Sequence, residues 1–313
     1  MSVTVVGSIA FDAVKTPFGE RERMLGGSAV HFALAASFFD QVRVVGPVGD
    51  DFGEPELDVM RARGVDVSDV ERIAGGQTFF WRGEYGWDLN SRETLDTQLG
   101  VFEGFAPKLS ADSRASDVLF LANIQPDLQR EVRSQLPSAR FVALDSMNLW
   151  IEDARDSLVE AIKSVDCLIL NDAELRQLTG KSSLLSAAHE VFSWTEARPP
   201  RGPGIIVAKQ GEYGAALITP EHFFSLPAFP LESVVDPTGA GDTFAGGFVG
   251  YIAAHPHDEI SDELLRRAMA HATVLASFNV EEFGTERIER LARAEIVARL
   301  KELREITRFS DGE

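Results

Sequence analysis

Short runs of β-branched and aliphatic residues alternate along this chain with longer segments of helical periodicity. Strand-like runs occupy residues 3–6, 42–45, 118–121, 141–144, 168–170, 204–208 and 215–219. Helical segments such as 28–39 and 54–63 lie between several of them. This alternation is typical of βαβ units, in which helices connect parallel strands and cover both faces of the sheet. The sequence therefore predicts a doubly wound, mainly parallel α/β fold.

Residues from about 75 to 105 break this rhythm. They include Phe79, Phe80, Trp81, Tyr85 and Trp87 with alternating polar neighbours, and then a second strand-like run at 94–101. The pattern predicts antiparallel strands outside the main sheet. They form either an edge hairpin whose aromatic rings pack on the body, or a lid that covers a substrate or pairs with a second subunit. Further helices are expected near 243–254, 262–279 and 288–308.

The 313 residues are 44% hydrophobic and carry a net charge of −19. This balance suits one globular domain over residues 1–313. No apolar run approaches the roughly 20 residues of a spanning helix, and the N-terminus resembles a strand, so we expect neither a membrane segment nor a signal peptide. The single cysteine, Cys167, is consistent with a reducing compartment, and we expect a cytoplasmic protein. The excess of acid argues against nucleic acid or an anionic membrane as partner.

The segment Asp236-Pro-Thr-Gly-Ala-Gly-Asp242 follows a strand-like stretch at 233–235 and precedes a helix of small residues. Gly239, Ala240 and Gly241 allow successive backbone N–H groups to point at one place beside a helix N-terminus, which predicts an anion site. Phosphoryl transfer needs such donors together with a carboxylate that takes the proton of the acceptor hydroxyl. Asp242 fits that role, with a low pKa expected from the helix N-terminus. Alternatively, Asp242 is only a favourable first-turn acid.

Two further polar groups follow predicted strands. Asn171 and Glu174 come after the strand at 167–170, where they could hold the water shell of a phosphate-bound Mg²⁺ or form a capping box. Both interpretations can hold together. Lys209 and Gly211 lie in a turn between two strands, and Lys209 could reach a phosphate from there.

Near the N-terminus, the predicted first strand ends with an acid, Asp12, and Gly26 and Gly27 open a helix that contains His31. Asp12 could accept hydrogen bonds from a polyol, or it could be a solvated loop acid. A histidine in the position of His31 is more often a core or capping residue than a catalytic one.

Taken together, these motifs resemble the ribokinase-like sugar kinases, also named PfkB carbohydrate kinases, over nearly the whole chain. The matching segments are Gly7-Ser-Ile-Ala-Phe-Asp12, Gly26-Gly27, Asn171-Asp-Ala-Glu174, Lys209-Gln-Gly211, Asp236-Pro-Thr-Gly-Ala-Gly-Asp242 and Ala270-His-Ala272. The pattern at 236–242 is highly specific, and the others are persuasive in combination.

The resemblance implies a doubly wound α/β body with a small β lid formed by excursions at about 12–25 and 75–105. It implies transfer of the ATP γ-phosphate to a sugar hydroxyl, with Asp242 as base and Gly239, Ala240 and Gly241 as anion hole. The nucleotide positions it implies are Asn171, Lys209, Gly211, Thr238, Gly239, Gly241 and His271. The acceptor positions it implies are Asp12, Gly26, Gly27, His31, Asn123 and Asp242. Asn171 and Glu174 would hold Mg²⁺ through water, a monovalent cation is a further candidate cofactor, and a homodimer through the lid is expected.

The chain departs from ribokinases at positions that touch the sugar. Ala10 stands where they usually carry Asn, and Ser28 and His31 stand where they carry Lys and Asn. Ribose is therefore not implied as the acceptor. The main hypothesis is a sugar kinase, and the alternative is a nucleoside kinase in which a base stacks on Trp81 or Trp87. A sugar-binding regulator without turnover is a third hypothesis, against which the intact motifs argue.

Overall fold

A computed structural model describes residues 2–194 and 202–308 of the protein, and two β-sheets lie within these ranges. In chain order the strands are β1 (Ser2–Val6), β2 (Ala10–Thr16), β3 (Gly19–Gly26), β4 (Gln41–Val48), β5 (Asp66–Arg72), β6 (Phe79–Tyr85), β7 (Arg92–Gln98), β8 (Val118–Leu121), β9 (Phe141–Asp145), β10 (Cys167–Asn171), β11 (Ile205–Lys209), β12 (Ala215–Ile218) and β13 (Phe223–Leu226). The larger sheet has the order β13-β12-β11-β10-β9-β8-β1-β4-β5, and the smaller has the order β3-β2-β6-β7.

The larger sheet is parallel from β5 across to β11, and the pairs β11–β12 and β12–β13 are antiparallel. The prediction of a mainly parallel sheet is confirmed. Its central strands consist mostly of Val, Leu, Ile and Phe without polar alternation, because both faces are covered. The carboxyl ends of these strands lie along one edge, which is where ligands bind in open α/β sheets.

Helices connect and cover these strands. In chain order they are α1 (Ser28–Ala36), α2 (Glu54–Ala62), α3 (Ala111–Arg114), α4 (Pro126–Gln135), α5 (Asn148–Asp153), α6 (Arg155–Ile162), α7 (Asp172–Thr179), α8 (Leu184–Ser193), α9 (Ala240–Ala253), α10 (Asp262–Asn279), α11 (Glu286–Glu289) and α12 (Arg293–Thr307). None of the helices in the described ranges is both long enough and apolar enough to cross a membrane.

Two hydrophobic clusters lie on the two faces of the larger sheet. One contains Phe32 of α1 and Phe248 of α9, and the Phe32 ring stacks on Phe120 of β8 with centroids 4.1 Å apart. The other contains Val132 of α4 and Leu158 of α6. Helices therefore pack on both sides of one sheet, which confirms the doubly wound arrangement.

The smaller, four-stranded sheet is named the lid sheet below. In it β2 pairs with β3 in antiparallel and with β6 in parallel orientation, and β6 pairs with β7 in antiparallel orientation. Antiparallel strands outside the main sheet were predicted between residues 75 and 105, and β6 and β7 confirm them. A small cluster that includes Val14, Tyr85 and Phe283 joins the lid sheet to the body.

Several predicted boundaries were wrong. Residues 233–235 do not form a strand, because the N–H of Val235 donates to the carbonyl of Val280 after α10, at 2.8 Å, and not to a neighbouring strand. The helix predicted at 288–308 is divided into α11 and α12, since the Glu295 carboxylate accepts the N–H of Ala292 and opens a new helix. Asp12 does not end the first strand but lies within β2.

Candidate active site

A buried ion pair lies at the carboxyl edge of the larger sheet. Asp145 ends β9 and Lys209 ends β11, with β10 between them. Lys209 Nζ lies 3.1 Å from Asp145 Oδ2, and the side chains are 17% and 7% exposed. Burial acts to lower the pKa of Lys209, but the carboxylates of Asp145, Glu174 and Asp242 together raise it. A positive charge is therefore held at this edge.

Sequence reasoning did not include Asp145. An acid that directly follows the buried run at 141–144 was the available signal, because side chains at strand ends meet at this edge. Gln129 of α4 supports the position, since its Nε2 donates to the carbonyls of Asp145 and Ala122, both at 2.9 Å. The ends of β8 and β9 are thereby joined to one helix.

The loop that opens α9 is shaped by Asp236. Its two carboxylate oxygens accept from the backbone N–H of Thr238 at 2.8 Å and of Gly284 at 2.9 Å. Gly239 then adopts φ 72°, a conformation that glycine tolerates best. A Cβ atom at Gly239 would also lie 2.3 Å from the ring of His31. A side chain at this position is therefore excluded by both the backbone and the space.

The first turn of α9 lies beside Lys209. The helix begins at Ala240, whose N–H donates to the carbonyl of Pro237 at 3.2 Å, so the N–H groups of Gly241 and Asp242 are the ones presented at the loop. A Cβ atom at Gly241 would lie 3.0 Å from Lys209 Nζ. The helix N-terminus and the lysine thus act at the same place, and both favour an anion.

Asp242 lies half-buried in the first turn of α9. Burial raises its pKa to about 7, the carboxylates of Asp145 and Glu174 act in the same direction, and Lys209 opposes them. The expectation of a low pKa was therefore wrong. Desolvation and neighbouring acids outweigh the helix N-terminus, and the sequence does not place those neighbours. A carboxylate that titrates near neutrality is a stronger proton acceptor than an ordinary aspartate.

Asp12 of the lid sheet faces the same region and is 6% exposed. Burial raises its pKa to about 7, and the charges of Asp236 and Asp242 add to this, while a hydrogen bond from the N–H of Gly27 opposes it. A Cβ atom at Gly26 would lie 2.0 Å from Asp12 Oδ2, so glycine leaves the room that this carboxylate occupies. The structure thus brings the predicted acceptor positions Asp12, Gly26 and Gly27 towards Asp242.

Asn171 and Glu174 cap the N-terminus of α7. Asn171 Oδ1 accepts the N–H of Glu174 at 2.7 Å, and Glu174 Oε2 accepts the N–H of Asn171 at 2.9 Å. The capping-box interpretation is confirmed. Burial also raises the pKa of Glu174 to about 7, with Lys209 opposing and Asp145 adding to the rise. Glu174 is therefore an electrostatic neighbour of the ion pair as well as a cap.

The same residues bear on the predicted Mg²⁺. Over residues 2–194 and 202–308, no three His, Cys, Asp or Glu side chains are grouped as metal ligands. Direct coordination by a protein cage therefore does not fit. A Mg²⁺ held through its water shell fits, because a divalent charge would relieve the repulsion among Glu174, Asp145 and Asp242.

Tyr85 docks the lid sheet onto the anion loop. Thr238 Oγ1 donates to Tyr85 Oη at 3.2 Å. Arg92 lies opposite Tyr85 on β7, and its guanidinium is 5.3 Å from the centre of the Trp81 ring. Burial raises the pKa of Asp12 and of Glu174, and the positive charge of Arg92 partly opposes this rise in both. No sequence motif had indicated Arg92.

His31 lies beneath the loop and is tied to Asn279 at the end of α10. Asn279 Oδ1 lies 3.2 Å from His31 Nδ1 and accepts from Thr243 Oγ1 at 2.9 Å. Asn279 Nδ2 donates to the carbonyl of Thr238 at 2.8 Å. Burial lowers the pKa of His31 to about 4, although Asn279 opposes this. One unpredicted amide therefore joins α1, α9, α10 and the anion loop around a neutral imidazole.

A cavity of about 440 Å³ lies beside the loop. Gly211 and Ala240 contribute to its wall, as do the apolar side chains of Phe229, Leu231 and Phe244. A cavity with a partly apolar wall next to an anion loop suits a molecule that has a flat apolar ring and an anionic tail. The predicted nucleotide position Gly211 lies in this wall.

Two predicted site residues make other contacts. His271 stacks on Tyr251 with centroids 4.3 Å apart, whereas Thr273 of the same helix lines the cavity. Asn123 Oδ1 accepts from the indole N–H of Trp150 at 2.9 Å. These placements lend no support to a nucleotide contact for His271 or an acceptor contact for Asn123.

Residues 2–290 match the profile that defines the pfkB family carbohydrate kinases. The chain belongs to this family. The cytidine kinase of Thermococcus kodakarensis is 29% identical over 275 residues, which are 86% of this chain and 95% of that protein. The ribokinase of Lactococcus lactis is 26% identical over 318 residues, which are 96% of this chain and 97% of that protein. The crystal structure of the Methanocaldococcus jannaschii nucleoside kinase superposes with a TM-score of 0.76 and 17% identity, covering 96% of this chain and 98% of its own.

This pfkB kinase is thus a phosphotransferase with a hydroxyl acceptor, a carbohydrate or nucleoside kinase with the ribokinase fold. The resemblance inferred from the motifs is confirmed. The relatives include both a nucleoside-named and a sugar-named kinase, so family membership leaves the choice of acceptor open.

Proposed function

We propose that this pfkB kinase transfers the γ-phosphate of Mg·ATP to a hydroxyl of a small sugar-like molecule, with Asp242 as catalytic base. One observation carries the proposal. Asp242, with its pKa raised to about 7, lies beside Lys209 at the N-terminus of α9 and within electrostatic reach of Asp12. A proton acceptor, an anion site and a second acid that can hold a polyol are thereby adjacent, and phosphoryl transfer uses these parts.

The nucleotide phosphates would lie at the loop 239–241 and Lys209, and the nucleobase of ATP would occupy the 440 Å³ cavity beside them. The first-turn N–H groups of α9 and the Lys209 ammonium stabilise the negative charge that spreads over the transferred group. Gly211 and Thr238 would lie along the nucleotide. Bound Mg²⁺, its water shell held by Glu174 and Asn171, would neutralise charge on the phosphates.

The acceptor would lie between Asp12 and Asp242, under the lid sheet. Asp12 accepts a hydrogen bond from one hydroxyl, and Asp242 takes the proton of the hydroxyl that is phosphorylated. The imidazole of His31 supports the anion loop from below. The monovalent cation and the homodimer through the lid stay predictions.

A nucleoside is the second candidate acceptor, and one observation favours it. Trp81 on β6 lies beside Asp12 on β2 in the parallel register, so both side chains are on one face of the lid sheet. A nucleobase could pack against Trp81 while its ribose reaches Asp12.

The test is ADP release from Mg·ATP, measured against a panel of hexoses, pentoses, their phosphates, inositols and nucleosides. We expect turnover with at least one polyol that carries adjacent hydroxyls. A value of kcat/KM at least about tenfold higher for cytidine than for ribose would favour the nucleoside, since a stacked base contributes about 1–3 kcal/mol. Acceptor binding without ADP release would instead indicate the sugar-binding regulator.

Glu174→Gln separates metal binding from helix capping. Glutamine can still accept the N–H of Asn171, so the cap persists while the charge is lost. We expect the Mg²⁺ concentration for half-maximal activity to rise by about tenfold or more, as for other outer-shell ligands, with acceptor KM unchanged. Glu56→Gln is the matched control, because the Glu56 carboxylate likewise accepts the N–H of the residue before its helix, Gly53, at 2.8 Å. Unchanged Mg²⁺ dependence with a lower Tm would leave Glu174 as a cap alone.

A further inference from the structure

The turn that joins β6 to β7 reaches from the lid sheet to the 440 Å³ cavity. Its residues Asp88, Leu89 and Asn90, named the lid tip below, line that cavity. Asn90 Nδ2 donates to Glu212 Oε1 at 3.3 Å, and Glu212 lines the cavity from the turn between β11 and β12. The lid sheet therefore meets the body at the cavity as well as at the anion loop.

Leu89 has an unusual backbone. Its φ is 56°, and no other non-glycine residue among 2–194 and 202–308 has a positive φ. Leucine in this left-handed region is strained, and such strain persists only where the surroundings impose it. Leu89 contributes to the cavity wall, and its side chain also packs against the cluster of Val14, Tyr85 and Phe283.

Hydrogen bonds within the turn hold this conformation. Asp88 Oδ1 accepts the N–H groups of Asn90 at 3.1 Å and Ser91 at 3.2 Å. The N–H of Gly86 donates to the carbonyl of Ser91 at 2.9 Å. Trp87, next to this network, is 89% exposed and does not line the cavity. The turn therefore directs Leu89 inward and leaves Trp87 in solvent.

Resting on the proposed function, we infer that the lid tip is a movable wall of the nucleotide site, and that Leu89 packs against the bound nucleotide. The lid sheet carries Asp12 and also supplies this wall, so the same sheet contacts both the acceptor and the nucleotide. Nucleotide alone then favours the closed lid. Because coupling between sites is reciprocal, acceptor binding also tightens the nucleotide.

The probe is Mg·ADP, titrated by calorimetry into the full-length chain without acceptor. Leu89→Asn keeps a residue that tolerates the left-handed conformation but removes the apolar contact. We expect its Kd for Mg·ADP to rise about tenfold, given the typical free energy of burying a leucine. Asn90→Ala should raise the Kd about two- to fivefold through loss of the bond to Glu212. Trp87→Ala, adjacent in the same turn, is the matched control and should leave the Kd within twofold.

Hydrogen exchange supplies the second readout. Mg·ADP should slow amide exchange over residues 86–92 in the wild type, and less so in Leu89→Asn. If both lid-tip variants bind Mg·ADP within twofold of wild type and exchange ignores the nucleotide, the inference is overturned while the nucleotide site stands. A wild-type chain that does not bind Mg·ADP overturns the inference together with the proposed function.

Discussion

Replacing Asp242 with Asn is expected to lower kcat by about 10²–10⁴-fold, because the amide keeps the side-chain shape but cannot take the acceptor proton. ATP binding should survive the change. Affinity for Mg·ATP should even increase, since a carboxylate beside the N-terminus of α9 repels the γ-phosphate. Turnover and calorimetric binding are measured on the same preparation, so that loss of chemistry is separated from loss of the site.

Asp156→Asn is the matched control for this substitution. Asp156 is also a first-turn acid of a helix, but it is exposed on α6 and away from the anion loop. We expect its kcat to stay within twofold of wild type. Should Asp242→Asn turn over within a few-fold of wild type while folded, the base assignment and the proposed mechanism both fail.

The second large effect concerns pH. Burial raises the pKa of Asp12, Glu174 and Asp242 to about 7 each, and the mutual repulsion of the acids adds to it. The base is active when deprotonated, so kcat/KM at low concentrations of both substrates should fall about tenfold from pH 8 to pH 6, and about tenfold for each further pH unit below 6. A profile that is flat from pH 8 to 6 would contradict the raised pKa of Asp242.

Through these three groups, the free energy of unfolding should decrease as pH rises, whereas kcat/KM increases. Their pKa is near 4 in the unfolded chain, so between about pH 4 and 7 the folded chain binds more protons. Their contribution to the free energy of unfolding therefore decreases as pH rises through this window. Asp242→Asn removes one of the groups, and its Tm relative to wild type should be higher at pH 8 than at pH 5. Urea unfolding at the two pH values checks the same sign.

Features set by local sequence were predicted well. The alternation of strands and helices predicted the doubly wound sheet. The segment at 236–242 predicted the glycine-containing loop and the position of Asp242 in the first turn of the following helix. The capping box at Asn171 and Glu174 was one of two interpretations of their spacing, and it too is a local feature. In each case the interacting groups lie within a few residues of one another.

Features set by contacts between distant segments were not predictable in this way. The pKa of Asp242 depends on Asp145, which arrives from another strand, and no motif indicated Asp145. His271 and Thr273 occupy different faces of α10, and spacing alone does not say which face meets the cavity. The charge of Arg92 lowers the pKa of Asp12 only because β7 belongs to the same small sheet as β2.

The position of a single hydrogen atom follows from the contacts of Asn279. A carbonyl oxygen only accepts, so the contact with Thr238 fixes Nδ2 of Asn279 towards that carbonyl and leaves Oδ1 towards His31. His31 must then carry its hydrogen on Nδ1. Its Nε2 is buried and has no hydrogen-bond partner within the described residues. At any pH well above about 4, His31 is therefore a neutral ring with its hydrogen on Nδ1 and an unpaired lone pair on Nε2. The side-chain amide of Asn279 on α10 determines this tautomer.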